Sequence, residues 1–236
     1  SLLAECFRDA GIPEGVVNYV TGPGGTLGQA LVDHPDVDGV TFTGSYAVGM
    51  NIYRAFAQRK YVKPVILEMG GKNPAIVSKN ADIEEAAIGI VRSAFGLQGQ
   101  KCSACSRVYI EKGVYQQALN RIVELTNQME IGDPTYRSVS LGPVINRNSY
   151  KDYQNYIYEM QEANARLLTG GEVLTKGEFG KGYFCAPTIV VDLPLEHRLW
   201  KHEMFVPITN VAPVESLDEA MRLANDVNYG LTAGFY

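Results

Sequence analysis

Short runs rich in valine, isoleucine and threonine alternate along this chain with longer segments whose apolar residues recur at helical spacing. That alternation leaves few architectures open: it argues for an α/β fold, with helices layered on a mostly parallel sheet. Strands are expected at Val16–Val20, Val37–Phe42, Val65–Leu67, Pro74–Val77, Ser106–Ile110 and Tyr183–Val191. Helices are expected at Leu27–Val32, Ser45–Phe56, Ile83–Ala94, Val114–Met129 and Ser149–Ala163. Asp82 with Glu85, and Ser216 with Glu219, have the spacing of capping boxes and mark two helix starts. Residues Leu2–Ala10 read as the middle of a helix and Leu231–Tyr236 as a strand that stops without a partner, so both ends look cut. No Pro- or Ser-rich linker divides the chain. The Gly70-Gly71 pair is the best boundary, giving domains 1–69 and 70–236.

Composition narrows the function classes. A net charge of -5 provides no basic footprint for a phosphate backbone, which argues against nucleic acid, and an acidic surface is mildly repelled by anionic membranes. Four cysteines in 236 residues do not make a disulfide framework, so a reducing, cytoplasmic setting is expected. No stretch approaches the roughly 18 continuous apolar residues of a membrane helix.

Four clusters could carry chemistry. Val40-Thr41-Phe42-Thr43-Gly44-Ser45 places a glycine and a hydroxyl at a helix start, which suits a phosphate; the plainer reading makes Ser45 an N-cap. Leu67-Glu68-Met69-Gly70-Gly71-Lys72 puts a carboxylate at the end of a buried strand, where it could face a crevice as a general base or simply be solvated. Lys72 reads as a surface cation or one that backs such a site. Gly99-Gln100-Lys101-Cys102-Ser103-Ala104-Cys105-Ser106-Arg107 holds a Cys-x-x-Cys. It could be a redox pair, half a zinc site, a nucleophile in a glycine-flanked loop or two inert core thiols. Only His34, His197 and His202 could complete a metal set, and none has finger spacing, so no metal is expected. Lys201-His202-Glu203-Met204-Phe205-Val206-Pro207 offers a carboxylate for a ribose diol and an aromatic for a flat ring, or is a surface loop.

Taken in order, Phe42-Thr43-Gly44-Ser45, Glu68-Met69-Gly70-Gly71-Lys72, Gly99-Gln100-Lys101-Cys102 and Glu203-Met204-Phe205-Val206-Pro207 resemble the aldehyde dehydrogenase superfamily over essentially the whole chain. The loop Gly99–Arg107 is most similar to the 1-pyrroline-5-carboxylate (glutamate semialdehyde) dehydrogenase branch. The resemblance implies the end of a Rossmann-like NAD-binding domain followed by an α/β catalytic domain. It implies Cys102 as nucleophile, Glu68 as base, Gly44 and Ser45 on the pyrophosphate, Glu203 and Phe205 at the nicotinamide ribose, and Ser103 on the substrate carboxylate. Cys105 is then a nearby, nonessential thiol. The cofactor implied is NAD, or NADP; the partner is a small aldehyde, the full-length protein a homo-oligomer, and the location cytoplasmic, or the mitochondrial matrix in a eukaryote.

The family usually has Phe-Gly-Pro where this chain has Phe205-Val206-Pro207, so a β-branched residue there is expected to alter backbone freedom. The family's Pro-Trp-Asn segment, whose asparagine completes the oxyanion hole, has no match here, which implies that these 236 residues alone are inactive. Two other readings stand beside this one: a dehydrogenase for another small semialdehyde such as succinic semialdehyde, and a noncatalytic structural or binding module.

Overall fold

The computed structural model describes residues 1–236, which form two compact units, Ser1–Met69 and Gly70–Tyr236.

In the first unit, α1 (Leu2–Asp9) follows Ser1, whose hydroxyl accepts the Ala4 N–H at 3.4 Å. After it come α2 (Gln29–Asp33), β1 (Val40–Thr43), α3 (Tyr46–Ala57) and β2 (Val65–Glu68). β1 and β2 pair in parallel, from Val40 opposite Val65 to Thr43 opposite Glu68. Val32, Ile52 and Phe56 form the core of this unit. α3 packs so close that a Cβ on Gly49 would lie 2.6 Å from Met69 Sδ. The expected strand at Val16–Val20 does not form; its residues are exposed. A β-rich run becomes a strand only where another edge receives its hydrogen bonds, and here the pairing is between β1 and β2.

The second unit is a six-stranded sheet flanked by helices. Its elements are β3 (Asn73–Val77), α4 (Ile83–Phe95), β4 (Cys105–Glu111), α5 (Tyr115–Asn127), α6 (Arg147–Glu162), β5 (Arg166–Thr169), β6 (Val173–Leu174), β7 (Phe184–Cys185), β8 (Thr188–Val191), β9 (Ile208–Val214), α7 (Leu217–Asn225) and β10 (Gly234–Phe235). The order is β10-β3-β4-β9-β8-β5, all parallel except β5 against β8. Side chains alternate between two cores. Val77, Val108, Ile110, Ile189 and Val211 pack with α4 and α5 on one face. Ile76, Tyr109, Val190 and Ala212 pack with α6 and α7 on the other. A parallel sheet covered on both faces needs apolar residues at both phases of the pleat.

Both expected caps form: Asp82 accepts the Glu85 N–H at 3.1 Å and Ser216 accepts the Glu219 N–H at 3.2 Å. Two strand readings change. The run Tyr183–Val191 is broken into β7 and β8 by Ala186-Pro187, because proline has no N–H for the ladder. The last segment is not partnerless, since β10 joins the sheet beside β3, with the Tyr236 N–H on the Ile76 carbonyl at 3.0 Å. No helix is long and apolar enough to cross a membrane.

Candidate active site

In the second unit the site is built where β3 begins and β4 begins, side by side. α4 ends at Phe95, and the chain then makes a left-handed turn, with positive φ at Leu97, Gln98 and Gly99. Gly99 is required twice over: its φ is +67°, and a Cβ there would meet the Val206 carbonyl oxygen at 2.5 Å. Lys101 to Ala104 then form a turn closed by the Ala104 N–H on the Lys101 carbonyl at 2.9 Å. Cys102 stands at the crest of that turn. It is exposed, its thiol is free, and its own N–H makes no hydrogen bond within the chain. An exposed sulfur beside an unshared backbone donor can attack a carbonyl and receive the oxyanion that results.

Its neighbours are separated by burial. Cys105, three residues on, is buried in β4, where loss of solvent pushes its thiol up to about 11. Ser103 is half-buried and lines a cavity of about 280 Å³ together with Lys101, Ser93, Thr232 and Tyr236.

Opposite the loop that carries Cys102 runs Gly70–Asn73. Glu203 reaches this segment: its Oε1 accepts the Gly71 N–H at 2.9 Å. Desolvation raises the Glu203 carboxyl, while the Gly71 hydrogen bond and the nearby Lys72 charge hold it down. A side chain on Gly70 would collide with the Glu203 carboxylate, so the missing Cβ at Gly70 is what admits it. Phe205 is exposed and adopts φ +55°, a left-handed conformation unusual for an aromatic residue. Val206, by contrast, is buried at negative φ, so the left-handed turn of this loop falls on Phe205 and the β-branched residue bears none of it.

For Lys72 the structure decides between the two readings of the sequence. It is not a surface cation but 1% exposed, its ammonium has no hydrogen-bond partner, and it is lowered to about 7. Burial is the largest cause and the Arg107 charge adds to it; Glu203 and Cys105 pull the other way.

In the first unit, Gly44 and Ser45 are exposed at the start of α3, and the Ser45 hydroxyl accepts the Val48 N–H at 3.4 Å. Both readings of Ser45 are thus compatible, since the cap leaves the other N–H groups of the first turn for an anion. Glu68 closes β2, its carbonyl accepting the Gly44 N–H at 3.0 Å. Its side chain is exposed, because β2 buries only Val65 and Leu67 in part, and the fully buried strand expected from sequence is not found.

The aldehyde dehydrogenase family model matches residues 1–236. The chain belongs to that family. It is 45% identical over 233 residues to a 1-pyrroline-5-carboxylate dehydrogenase of Geobacillus sp. strain WCH70, covering 97% of this chain and 44% of that protein. It is 41% identical to an alpha-ketoglutaric semialdehyde dehydrogenase of Bacillus subtilis, covering 98% and 47%. The solved 1-pyrroline-5-carboxylate dehydrogenase from Thermus with bound NAD superposes with a TM-score of 0.93 at 38% identity, covering all of this chain and 45% of that one. The chain therefore spans somewhat under half the length of the aldehyde dehydrogenase relatives it matches.

Two buried residues organise the loops of this site, and the first of them is one that sequence reasoning passed over. Asn73, 3% exposed, donates to the carbonyls of Cys102 at 2.7 Å and Ala104 at 2.9 Å. Arg107, 1% exposed, donates to the Lys72 carbonyl through Nε at 2.8 Å and Nη2 at 2.5 Å, and to the carbonyls of Leu223 and Ala224. Their signal in the sequence was polarity inside apolar stretches: an asparagine between Lys72 and Pro74, and an arginine opening Val108-Tyr109-Ile110. Buried polar groups of that kind must be paired.

Proposed function

We propose that this chain is the nucleophile-bearing part of an NAD(P)-dependent aldehyde dehydrogenase that oxidises L-glutamate 5-semialdehyde, the open form of 1-pyrroline-5-carboxylate, to glutamate. The observation that carries this is Cys102, an exposed thiol at the crest of a turn with its own N–H unshared. The names of the relatives at up to 45% identity support the substrate. On this reading residues 1–69 belong to the NAD(P)-binding domain and 70–236 to the catalytic domain. The bacterial relatives support a cytoplasmic location.

The Cys102 thiolate adds to the aldehyde carbon, forming the C–S bond and an oxyanion that the Cys102 N–H receives. One such donor is worth about 3 kcal/mol or more to the transition state. A nicotinamide, when bound, would supply the hydride acceptor; collapse of the oxyanion with loss of hydride would leave a thioester on Cys102. Glu68 takes a proton from water, the hydroxide adds to the thioester carbon, and the C–S bond breaks to release the acid and restore the thiolate. The residues fit the cofactor: Gly44 and Ser45 offer helix-start donors for a pyrophosphate, and Glu203 and Phe205 offer a carboxylate and an exposed ring for a ribose and its base. Ser103, with Lys101 on the same cavity, suits the substrate carboxylate.

A second substrate reading, another semialdehyde acid, is favoured by the 41% identity to the Bacillus subtilis relative. The test is steady-state turnover by the full-length protein with glutamate semialdehyde, succinic semialdehyde and alpha-ketoglutaric semialdehyde, each with NAD and with NADP. The expected result is the highest kcat/KM for glutamate semialdehyde and loss of turnover in Cys102→Ala. In Glu68→Gln, a burst of reduced nicotinamide should be followed by a stalled thioester. Turnover surviving in Cys102→Ala would overturn the mechanism, and a preference for another semialdehyde would overturn the substrate.

A further inference from the structure

The Asn73 side chain uses both of its donors and accepts one further hydrogen bond. Both amide hydrogens go to the nucleophile loop, on the carbonyls of Cys102 and Ala104, and its Oδ1 accepts the Thr232 N–H at 3.1 Å. The loop is unusual in needing this. β3 and β4 are in register from Pro74 opposite Arg107 onward, but Asn73 lies opposite Cys105, so Ser106 is an extra residue between them. Pro74 also has no N–H to give. Ladder pairing therefore fails just where the nucleophile loop joins the sheet, and the Asn73 amide takes over the carbonyls the ladder does not reach. Gly71 completes the seat, since a Cβ there would collide with the Cys102 carbonyl oxygen.

A peptide group is planar, so fixing the Cys102 carbonyl fixes the Ser103 N–H on the opposite side of the same plane. With the turn closed by Lys101 and Ala104, little freedom is left in the backbone that carries the thiol. We propose that Asn73 is a positioning residue for the nucleophile: its amide sets the plane of the Cys102–Ser103 peptide and so determines where the Cys102 thiol stands. It does not touch the aldehyde; it acts through the loop. This rests on the reading of Cys102 as nucleophile and adds to it a residue that decides how well that nucleophile is aimed. Asp at this position would set a carboxylate against two carbonyl oxygens, Ala would free both, and Ser would keep one donor.

The test uses the full-length protein with Asn73→Ala, Asn73→Asp and Asn73→Ser, and Asn210→Ala as a control for stability alone. Asn210 is likewise buried, donates to the Leu199 carbonyl at 3.1 Å and lies in β9, outside the loop. For each protein the rate of Cys102 alkylation by iodoacetamide per folded molecule, kcat, KM and the thermal midpoint are measured. The expected result is a loss of about tenfold or more in alkylation rate and kcat for Asn73→Ala, with KM little changed. Asn73→Asp should fall further and Asn73→Ser should lie between. Asn210→Ala should lose thermal stability while its Cys102 alkylates within about twofold of the parent, since it disturbs packing and not aim. Asn73→Ala or Asn73→Ser alkylating at the parent rate, with kcat preserved, would overturn the proposal. The parent protein failing to alkylate at Cys102, or Cys102→Ala remaining active, would remove the nucleophile reading and this inference together.

Discussion

The carboxylate of Glu203 closes on the backbone N–H of Gly71 at 2.9 Å, joining two points 132 residues apart in the chain. Neither residue accounts for the contact alone. Gly70 must lack a side chain for the carboxylate to enter, and Gly71 must be buried enough for its N–H to need a partner. A residue proposed for cofactor binding is thus also part of the internal bonding of the second unit.

That double use separates two substitutions. Glu203→Gln keeps an oxygen for the Gly71 N–H and should cost less than about 1 kcal/mol of stability, whereas Glu203→Ala orphans a buried donor and should cost about 1–3 kcal/mol. Urea unfolding of both checks this. Equal stabilities would show that the contact contributes nothing.

Lys72 gives the protein a pH dependence of defined sign. Folding depresses its ammonium from the ordinary 10.5 to about 7, so between those values the unfolded chain binds a proton that the folded chain does not. Native stability therefore rises with pH across that window, and the full cost of the buried charge stands below it. Lys72→Met should remove this slope and be the more stable protein at pH 6, with the gap narrowing toward the upper end. Denaturant titrations at several pH values decide it; parallel curves would refute the assignment.

Gly99 and Gly96 flank the same short turn but tolerate different things. Gly99→Ala must hold an alanine at positive φ and press its methyl into a backbone oxygen, so a loss of about 2 kcal/mol or more is expected. Gly96 has negative φ and open space where a methyl would stand, so Gly96→Ala should be nearly neutral. Comparison of their unfolding midpoints is the measurement.

The four thiols should divide by burial. Cys105 and Cys185, pushed up to about 11 and about 12 by desolvation, should stay unlabelled by iodoacetamide at neutral pH. Cys102 and Cys6 are exposed and should both take label. Cys6 would not be expected to lag from its burial, so a Cys6→Ser background is needed to follow Cys102 alone. Peptide mapping by mass spectrometry reads the sites, and label on native Cys185 would contradict the packing.

Ser45→Ala should cost about 0.5–2 kcal/mol of stability by removing the cap on Val48, and should also weaken cofactor binding if the start of α3 holds the pyrophosphate. Thermal melts and titration with NAD separate the two effects. An unchanged affinity for NAD with a lowered melting point would leave only the cap.

What the sequence made legible were features with local causes. Asp82 and Ser216 cap the helices their spacing announced, and the loop that carries Cys102 could be picked out from its flanking glycine and consecutive polar residues. Features with distant causes were not legible. β9 was missed because Thr209 and Asn210, both fully buried, broke the apolar pattern that a central strand usually shows; their partners, the Cys105 and Leu199 carbonyls, come from elsewhere in the chain. The two readings of Lys72 stayed open for the same reason: nothing in Gly70-Gly71-Lys72-Asn73 tells that β4 and α7 will come to lie around it. Asn73 was passed over because its role exists only once Cys102 and Ala104 have folded back onto it.

The missing methyl at Gly99 has one more consequence. With its α-carbon set against the Val206 carbonyl, the segment leading to Cys102 lies flush on the segment leading on from Glu203. Any side chain at position 99 would wedge these two segments apart, and the wedge would be driven in between the loop that carries Cys102 and the loop that carries Glu203.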